Sequence, residues 1–276
     1  MSPCLIKTLT PAGLENVSYT ANSLAEAAAF EPRDGVYTVT NTYNTFQVLK
    51  FDAHLDRLED SARRENIPLV LNRPGLRAAL RQMIADANFG DVRFRITVPR
   101  DKPNHLILSV EPFKSQPPEV YANGVRCITL LPNIARHNPT AKTTGWMHDR
   151  EQHTLPDGIY TGLLLDANDN LLEGTTSNFY GVLDGELRTA GAGVLPGITQ
   201  QIVSIIAPEV LPLRKVAVQK MDIPRLAEAF VTSSSRGIVP VIGIDGIQIG
   251  IGRPGTLTLK LREHYLAWVS AHLEEL

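Results

Sequence analysis

Cysteine is nearly absent from this chain, with two in 276 residues, Cys4 and Cys127. Two cysteines cannot build a disulfide framework, nor a zinc site made of cysteine pairs. An excess of charge is missing too: 27 Lys+Arg stand against 29 Asp+Glu, for a formal net charge of -2. That balance is not the footprint of a strongly basic nucleic-acid binder. No apolar run approaches the ~20 residues that a membrane span needs. Residues 1–7 lack the charged start and long apolar stretch of a secretory signal. The expectation is a cytoplasmic protein with neither nucleic acid nor membrane as partner. What is present is ordinary for a globular chain, with 43% hydrophobic and 20% charged residues. Disorder over the whole length is thereby excluded, and the length suits one large domain or two of common size.

The patterns mix strands and helices. Residues 35–51, rich in Val, Thr and Tyr, read as two strands turning at Tyr43-Asn44-Thr45. Asp52 is placed to cap the next helix, on which Leu55, Leu58 and Ala62 recur at helical spacing. A second helix follows Pro74, with Leu76, Leu80, Met83, Ile84 and Ala87 on one face. Val92, Phe94, Ile96 and Val98 alternate with Arg93, Arg95 and Thr97, the pattern of a half-buried strand, and 105–110 reads as its partner. Two adjacent prolines, Pro117 and Pro118, end regular structure and mark 113–117 as a linker. Two α/β domains are therefore expected, a smaller one at 1–112 and a larger one at 118–276.

The larger part is predicted to carry strands at 124–131, 159–165, 215–220 and 229–232. Hairpins are expected around Asp184-Gly185 and Asp245-Gly246. A helix follows Pro196, Asp222 is placed to cap a short helix, and a last helix after Pro254 carries Leu257, Leu261, Tyr265, Trp268 and Leu273. The hairpins argue against a purely parallel sheet.

Several motifs compete. Gly250, Gly252 and Gly255 form a G-x-G-x-x-G, but a dinucleotide fold needs a further strand with an acidic residue ~20 positions on. The chain ends too soon for that strand, so a turn is the better reading. His148 and His153 are five apart and do not share a helix face, which favours a solvated surface over a metal site. Neither a G-x-S-x-G elbow nor a Walker A occurs. Gly197-Ile198-Thr199 opens a helix, where free backbone N–H groups can bind an anion or merely accept a cap. Ser233-Ser234-Ser235-Arg236-Gly237 at a strand end could hold a phosphate or be a polar loop. Arg57, taken alone, reads as a surface residue.

Taken in order, these segments resemble the class IV aminotransferases, the fold-type IV pyridoxal-phosphate family that includes branched-chain and D-amino-acid aminotransferases and aminodeoxychorismate lyases. His54-Leu55-Asp56-Arg57-Leu58 with Ser61-Ala62 is similar to the family's H-L-x-R-L-x-x-S-A. Glu173-Gly174-Thr175-Thr176-Ser177-Asn178-Phe179 resembles E-G-x-x-S-N-F. Leu195-Pro196-Gly197-Ile198-Thr199 is similar to L-P-G-I-T-R, with Gln200 in place of the usual Arg. Thr232 to Val241 resembles the last segment, and Lys142 falls where the Schiff-base lysine is found.

The resemblance implies a two-domain fold-type IV architecture, D-amino-acid aminotransferase-like, with pyridoxal 5′-phosphate in the cleft between domains. It implies Lys142 as the catalytic residue, bonded to the cofactor aldehyde and then serving as proton-transferring base. Glu173 would sit beside the pyridine nitrogen, and Asn178 would also bind the cofactor. Arg57, the backbone of Ile198 and Thr199, and Ser233 and Ser234 would hold the phosphate. Tyr37, Thr38 and Ser235 are expected at the substrate. Trp146 stands near the place of a tyrosine that faces the cofactor O3′, and its indole can donate but not accept. Many aminotransferases of the family have Glu where Thr38 stands, and aminodeoxychorismate lyases share the Thr. The implied activity is amino-group exchange between an amino acid or amine and a 2-oxo acid, by a homodimer. The alternatives are a carbon–carbon lyase that releases pyruvate from aminodeoxychorismate and a non-catalytic binder of a phosphate ligand.

Overall fold

A computed structural model describes residues 4–131 and 136–276. The chain forms two compact units. The first comprises residues 4–114 with Ala141–His153 and His272–Leu276; the second comprises 115–131, 136–140 and Thr154–Ala271. The sequence divides once, at 113–117, whereas the contacts divide three more times. As a result, the segment holding Lys142 packs with the first unit rather than with the chain that flanks it.

The first unit is built on β1 (Leu5–Thr10), β2 (Gly13–Asn16), α1 (Leu24–Ala28), β3 (Gly35–Tyr43), β4 (Gln47–Leu49), α2 (Phe51–Arg64), α3 (Arg73–Ala87), β5 (Val92–Pro99) and β6 (Leu106–Pro112). A short helix, Thr144–Asp149, and a C-terminal strand, Leu273–Glu275, complete it. The seven strands run C-terminal strand–β4–β3–β5–β6–β1–β2, every neighbouring pair antiparallel. Phe51, Leu55 and Leu58 of α2 and Leu76, Leu80, Met83 and Ile84 of α3 bury against Phe94, Ile96, Val98, Leu108 and Val110. The helical and two-residue periods of the sequence thus meet in one core.

Local details differ from the sequence reading. Lys50, in a left-handed conformation (φ 47°), precedes α2, and Asp52 lies within its first turn rather than at the cap. An acid there still favours the positive end of the helix dipole. Asn72 caps α3 by accepting from the Gly75 N–H. Leu273 leaves the last helix and pairs with Leu49 as a strand.

The largest difference is at β5. Its polar face is solvated only at Arg93, while Arg95 and Thr97 are buried. Glu31, which follows α1, folds over them. Its Oε1 accepts from Arg95 Nε (2.9 Å) and Nη2 (2.5 Å), and its Oε2 accepts from Thr97 Oγ1 (2.5 Å). Alternation marks one apolar face, but cannot tell a solvated polar face from one satisfied by a buried ion pair.

The second unit contains α4 (Pro118–Asn123), β7 (Val125–Thr129), β8 (Ile159–Leu165), β9 (Asn170–Gly174), β10 (Ser177–Leu183), β11 (Glu186–Arg188), α5 (Ile198–Ile206), β12 (Leu213–Arg214), β13 (Val218–Gln219), β14 (Glu228–Ser233), β15 (Gly237–Ile244), β16 (Ile247–Gln248) and α6 (Thr256–Ala271). The path β10–β14–β15–β7–β8–β9 closes on itself, because β9 also pairs with β10. Closure removes edge strands and encloses Phe179, Val231, Val239, Leu163 and Leu171 in one core. Only β15–β7 and β7–β8 within this ring are parallel. The strand expected at 215–220 shrinks to Val218–Gln219, and Asp222 lies inside the 3₁₀ helix Lys220–Arg225 rather than capping it.

The glycine-rich segment before α6 is a turn. Gly250 and Gly252 have φ of 53° and 71°, which glycine adopts without strain. The first amides of α6, at Leu257 and Thr258, donate to the Glu228 carboxylate at 3.0 and 2.7 Å. A side-chain acid thus occupies the place a pyrophosphate would need.

Replacing Glu31 with Ala should strand the Arg95 charge, whose side chain is only 6% exposed. The expected loss is about 3–5 kcal/mol of folding stability, read by urea unfolding. A loss below about 1 kcal/mol would mean that Arg95 reaches water in solution.

Candidate active site

The expected site residues fall into two groups, one on each unit. Tyr37, Thr38, Arg57, Lys142 and Trp146 belong to the first. Glu173, Asn178, Ile198, Thr199, Ser233, Ser234 and Ser235 belong to the second.

In the first unit the backbone of Lys142 is fixed from two sides. Its C=O accepts from the Tyr37 N–H of β3 at 2.9 Å, and the next residue, Thr143, forms a bridge with Val36. Its own N–H donates to Ser61 Oγ at 3.1 Å. Ser61 in turn donates to the Arg57 carbonyl at 2.7 Å, one turn back on α2. The Lys142 Nζ lies 4.7 Å from the centre of the Tyr37 ring, a cation–π distance. Trp146 is half-buried on the short helix, where its backbone N–H donates to Thr143 Oγ1 at 3.4 Å.

Helical spacing explains the H-L-x-R-L-x-x-S run. His54, Arg57 and Ser61 are three and four apart and share one face of α2, while Leu55 and Leu58 turn to the core. Arg57 is not a surface residue. It is 8% exposed, and Nη2 donates to Thr38 Oγ1 at 3.3 Å. His54 Nδ1 lies 3.0 Å from the same Thr38 oxygen and 3.5 Å from Arg57 Nη2. Guanidinium groups only donate, so Nδ1 is the acceptor here and the His54 proton belongs on Nε2. The Thr38 hydroxyl accepts from Arg57 and donates to His54. Burial, then the charges of Arg57 and Lys142, hold the His54 pKa well below its ordinary value. A neutral histidine facing two cations marks a region of positive potential, which suits a bound anion.

The second unit offers an anion site of its own. Gly197 precedes α5 with no side chain capping the helix, so the leading amides point outward. A Cβ at Gly197 would collide with Asn178 Oδ1; only glycine fits. Asn178 is a brace: its Nδ2 donates to the Leu195 carbonyl at 2.9 Å and to Glu173 Oε2 at 3.4 Å. Ser234 and Ser235 are half-buried in the turn between β14 and β15. Ser233 Oγ accepts from Arg236 Nε at 2.8 Å.

Glu173 is buried at the end of β9 and is held on both oxygens. Leu195 N–H donates to Oε2 at 3.1 Å, and Arg136 Nη1 to Oε1 at 2.6 Å. Arg136, Ser61 and Arg150 were not singled out from the sequence. Ser61 lay within a quoted motif. Arg136 sits in a polar stretch without periodicity, and its partner is 37 positions away.

In the first unit, a lysine anchored against an aromatic ring and a buried arginine in a positive region suit a carbonyl compound that bears an anionic group; in the second, an uncapped helix start suits an anion. Comparison with known proteins agrees. The family model described as amino-transferase class IV matches residues 35–244, and the chain belongs to that family. Its members use pyridoxal 5′-phosphate and transfer an amino group between an amino compound and an oxo acid. The chain is similar to the D-alanine aminotransferase of Listeria monocytogenes serotype 4b (strain F2365), 26% identical over 272 residues, covering 87% of this chain and 89% of that one. It is also similar to the branched-chain-amino-acid aminotransferase of Escherichia coli (strain K12), 26% identical over 253 residues, covering 83% and 81%.

In fold it matches the branched-chain aminotransferase of Thermoproteus uzoniensis with norvaline, with a TM-score of 0.80 at 20% identity over 99% and 98% of the two chains. It matches the solved branched-chain amino acid aminotransferase of Escherichia coli at a TM-score of 0.79 and 22% identity, over 97% of this chain and 96% of that one. The fold is therefore the expected α/β fold of type IV, here with two sheets. None of these relatives is named as a lyase.

The depressed His54 pKa has a consequence for stability. The folded form resists protonation that the unfolded chain accepts near pH 6.5. Stability is thus full above that value and falls as pH drops below it, by about 1.4 kcal/mol per pH unit for one proton. Urea midpoints measured between about pH 7.5 and 5.5 should show this slope, and His54→Gln should flatten it. An equal slope in both proteins would assign the acid sensitivity elsewhere.

Proposed function

We propose that Lys142 is the cofactor-bearing lysine of an enzyme that exchanges an amino group between an amino acid and a 2-oxo acid. The observation that carries this reading is the double anchoring of Lys142 by Ser61 and Tyr37, with its amine beside the Tyr37 ring. Pyridoxal 5′-phosphate, when bound, supplies a carbonyl that captures amines and a ring that accepts electrons.

The residues divide the remaining work. Lys142, fixed in backbone, moves a proton at the substrate carbon with only its side chain free to swing. Arg57, aimed by Thr38 and His54, holds a phosphate by charge-assisted hydrogen bonds. The amides of Ile198 and Thr199, kept open by Gly197, take further phosphate oxygens, and Ser233 and Ser234 are assigned to the same group. Glu173, oriented by Arg136, Asn178 and Leu195, is assigned to the pyridine nitrogen. Trp146 is assigned as donor near O3′, and Tyr37, Thr38 and Ser235 to the substrate side. Thr38 in place of a glutamate is the feature shared with lyases; its hydrogen bonds to Arg57 and His54 support a positioning role that does not depend on the reaction. The proposal includes a homodimer in the cytoplasm. No helix among the described residues is long and apolar enough to cross a membrane, and charges are balanced overall.

Lys142→Ala should abolish the visible absorbance band of the loaded enzyme and leave no lysine that borohydride can fix to the cofactor. Turnover should fall by a factor of ~10³ or more, since a nucleophile and a base are lost together. Near-normal turnover, or fixation on another lysine, would overturn the assignment.

Arg57→Ala should act on affinity instead. Charged hydrogen bonds of about 1.5–3 kcal/mol correspond to ~10- to 150-fold weaker cofactor binding. Excess cofactor should restore much of the rate. Unchanged affinity would remove Arg57 from the phosphate site.

A further inference from the structure

Most arginines that make ion pairs in the second unit lie at its surface. Arg225 pairs with Asp184 and Asp222, and Arg188 and Arg214 pair with Glu186. Arg236 differs. It is half-buried in the turn between β14 and β15, directly after Ser233, Ser234 and Ser235. Among the described residues its guanidinium meets only neutral partners. Nε donates to Ser233 Oγ at 2.8 Å, and Nη2 donates to Thr176 Oγ1 at 2.7 Å and to the Thr176 carbonyl at 3.2 Å. Nη1 donates to the Tyr160 hydroxyl of β8 at 3.4 Å. The Arg236 carbonyl accepts from the Tyr121 hydroxyl of α4 at 2.9 Å, and Arg262 of α6 covers the Tyr121 ring at 4.1 Å.

This arrangement has two effects on the serine turn. The first concerns one proton. A guanidinium only donates, so Ser233 Oγ is the acceptor in that bond and its own O–H is left for another group. Among the described residues nothing takes that proton. The second effect is spacing. Thr176 lies in the turn between β9 and β10, two residues before Asn178, which braces the loop into α5. Arg236 ties the serine turn to this hairpin, and Asn178 ties the start of α5 to it. One hairpin therefore sets the distance between the two donor segments. Because no carboxylate cancels it, the Arg236 charge also favours an anion at the turn.

We propose that Arg236 is a positioning residue for the phosphate site: it holds the Ser233 hydroxyl as a donor and locks the serine turn to the β9–β10 hairpin. The inference rests on the aminotransferase reading, in which Ser233 and the amides of Ile198 and Thr199 hold the cofactor phosphate, and adds the residue that aligns them. All three nitrogens of the guanidinium are engaged by protein groups, so Arg236 acts through Ser233 rather than on the ligand.

The test measures dissociation constants of the full chain for pyridoxal 5′-phosphate and for pyridoxal, which lacks the phosphate. Borohydride fixation on Lys142 is followed alongside. Arg236→Met keeps an apolar stem without donors. It should weaken pyridoxal 5′-phosphate by ~2- to 13-fold, the worth of one aligned hydrogen bond, and leave pyridoxal unchanged. Arg236→Lys should restore only part of the loss, because it returns the charge without a fork that reaches Ser233 and Thr176 together. Thr176→Val removes the outer anchor and should give a smaller loss with the same preference. Ser233→Ala added to Arg236→Met should cost little more, because the hydroxyl has already lost its alignment.

Equal weakening of both ligands would mark Arg236 as structural and overturn the proposal. Full restoration by Arg236→Lys would overturn it too, since charge alone would then suffice. So would losses that simply add in the double variant, or an unchanged affinity in Arg236→Met. If the wild type itself bound pyridoxal as tightly as its phosphate and fixed neither on Lys142, the aminotransferase reading would fail with it. Failure confined to the Arg236 variants leaves that reading standing.

Discussion

The Ser61 hydroxyl donates to the Arg57 carbonyl and accepts from the Lys142 amide, so one small side chain ties two distant parts of the sequence. Eighty-one positions separate Ser61 and Lys142. The bond is buried on the Ser61 side, where an unmet amide would cost about 1–3 kcal/mol. It is also directional. With the Tyr37 N–H on the Lys142 carbonyl, it defines the backbone of the lysine at both peptide groups. Everything the lysine could do then depends on side-chain rotation alone, from a fixed origin.

The same helix face explains why the first unit needs a neutral histidine. His54, Arg57 and Ser61 stand in one row of α2, and Thr38 of β3 meets the first two. A charged His54 would add a third cation to Arg57 and Lys142, where burial already removes the screening of water. Burial and repulsion act in the same direction, and both keep the ring neutral. The ring can then accept through Nδ1, which leaves the Thr38 oxygen free to accept from the arginine. Thr38 thereby acquires a role of its own, as the hydroxyl shared by Arg57 and His54.

Much of this was legible in the sequence because it rests on local periodicity. The face of Leu55, Leu58 and Ala62 on α2, the alternation in β5 and the Asp184-Gly185 and Asp245-Gly246 hairpins follow from spacing of two, three or four residues, whereas His54 and Arg57 stood out only through the motif they share with the family. What was not legible depends on partners far apart. The Glu31–Arg95 pair spans 64 positions, and no period in β5 could show that Arg95 on its polar face is covered. Arg136 and Arg150 lie in stretches without strong pattern, and only tertiary contacts reveal that one meets Glu173 and the other Tyr37. The single linker at 113–117 was visible as adjacent prolines, whereas the return of residues 141–153 to the first unit was not, because a hydrogen bond to Ser61 leaves no mark in composition.

The closed strand path of the second unit and the helix row of the first solve the same problem by different means. A side chain that must stay in place needs its backbone neighbours satisfied before any ligand arrives. On α2 this is achieved by a hydroxyl reaching one turn back. Between β9 and β10 it is achieved by Asn178, which satisfies both the Leu195 carbonyl and the Glu173 carboxylate, and so fixes the loop that leads into α5. Gly197 follows from that choice. With Asn178 Oδ1 lying where a Cβ would go, any side chain there would push the brace away and tilt the first amides of α5. The glycine is therefore set by the asparagine, and the open helix start is set by both.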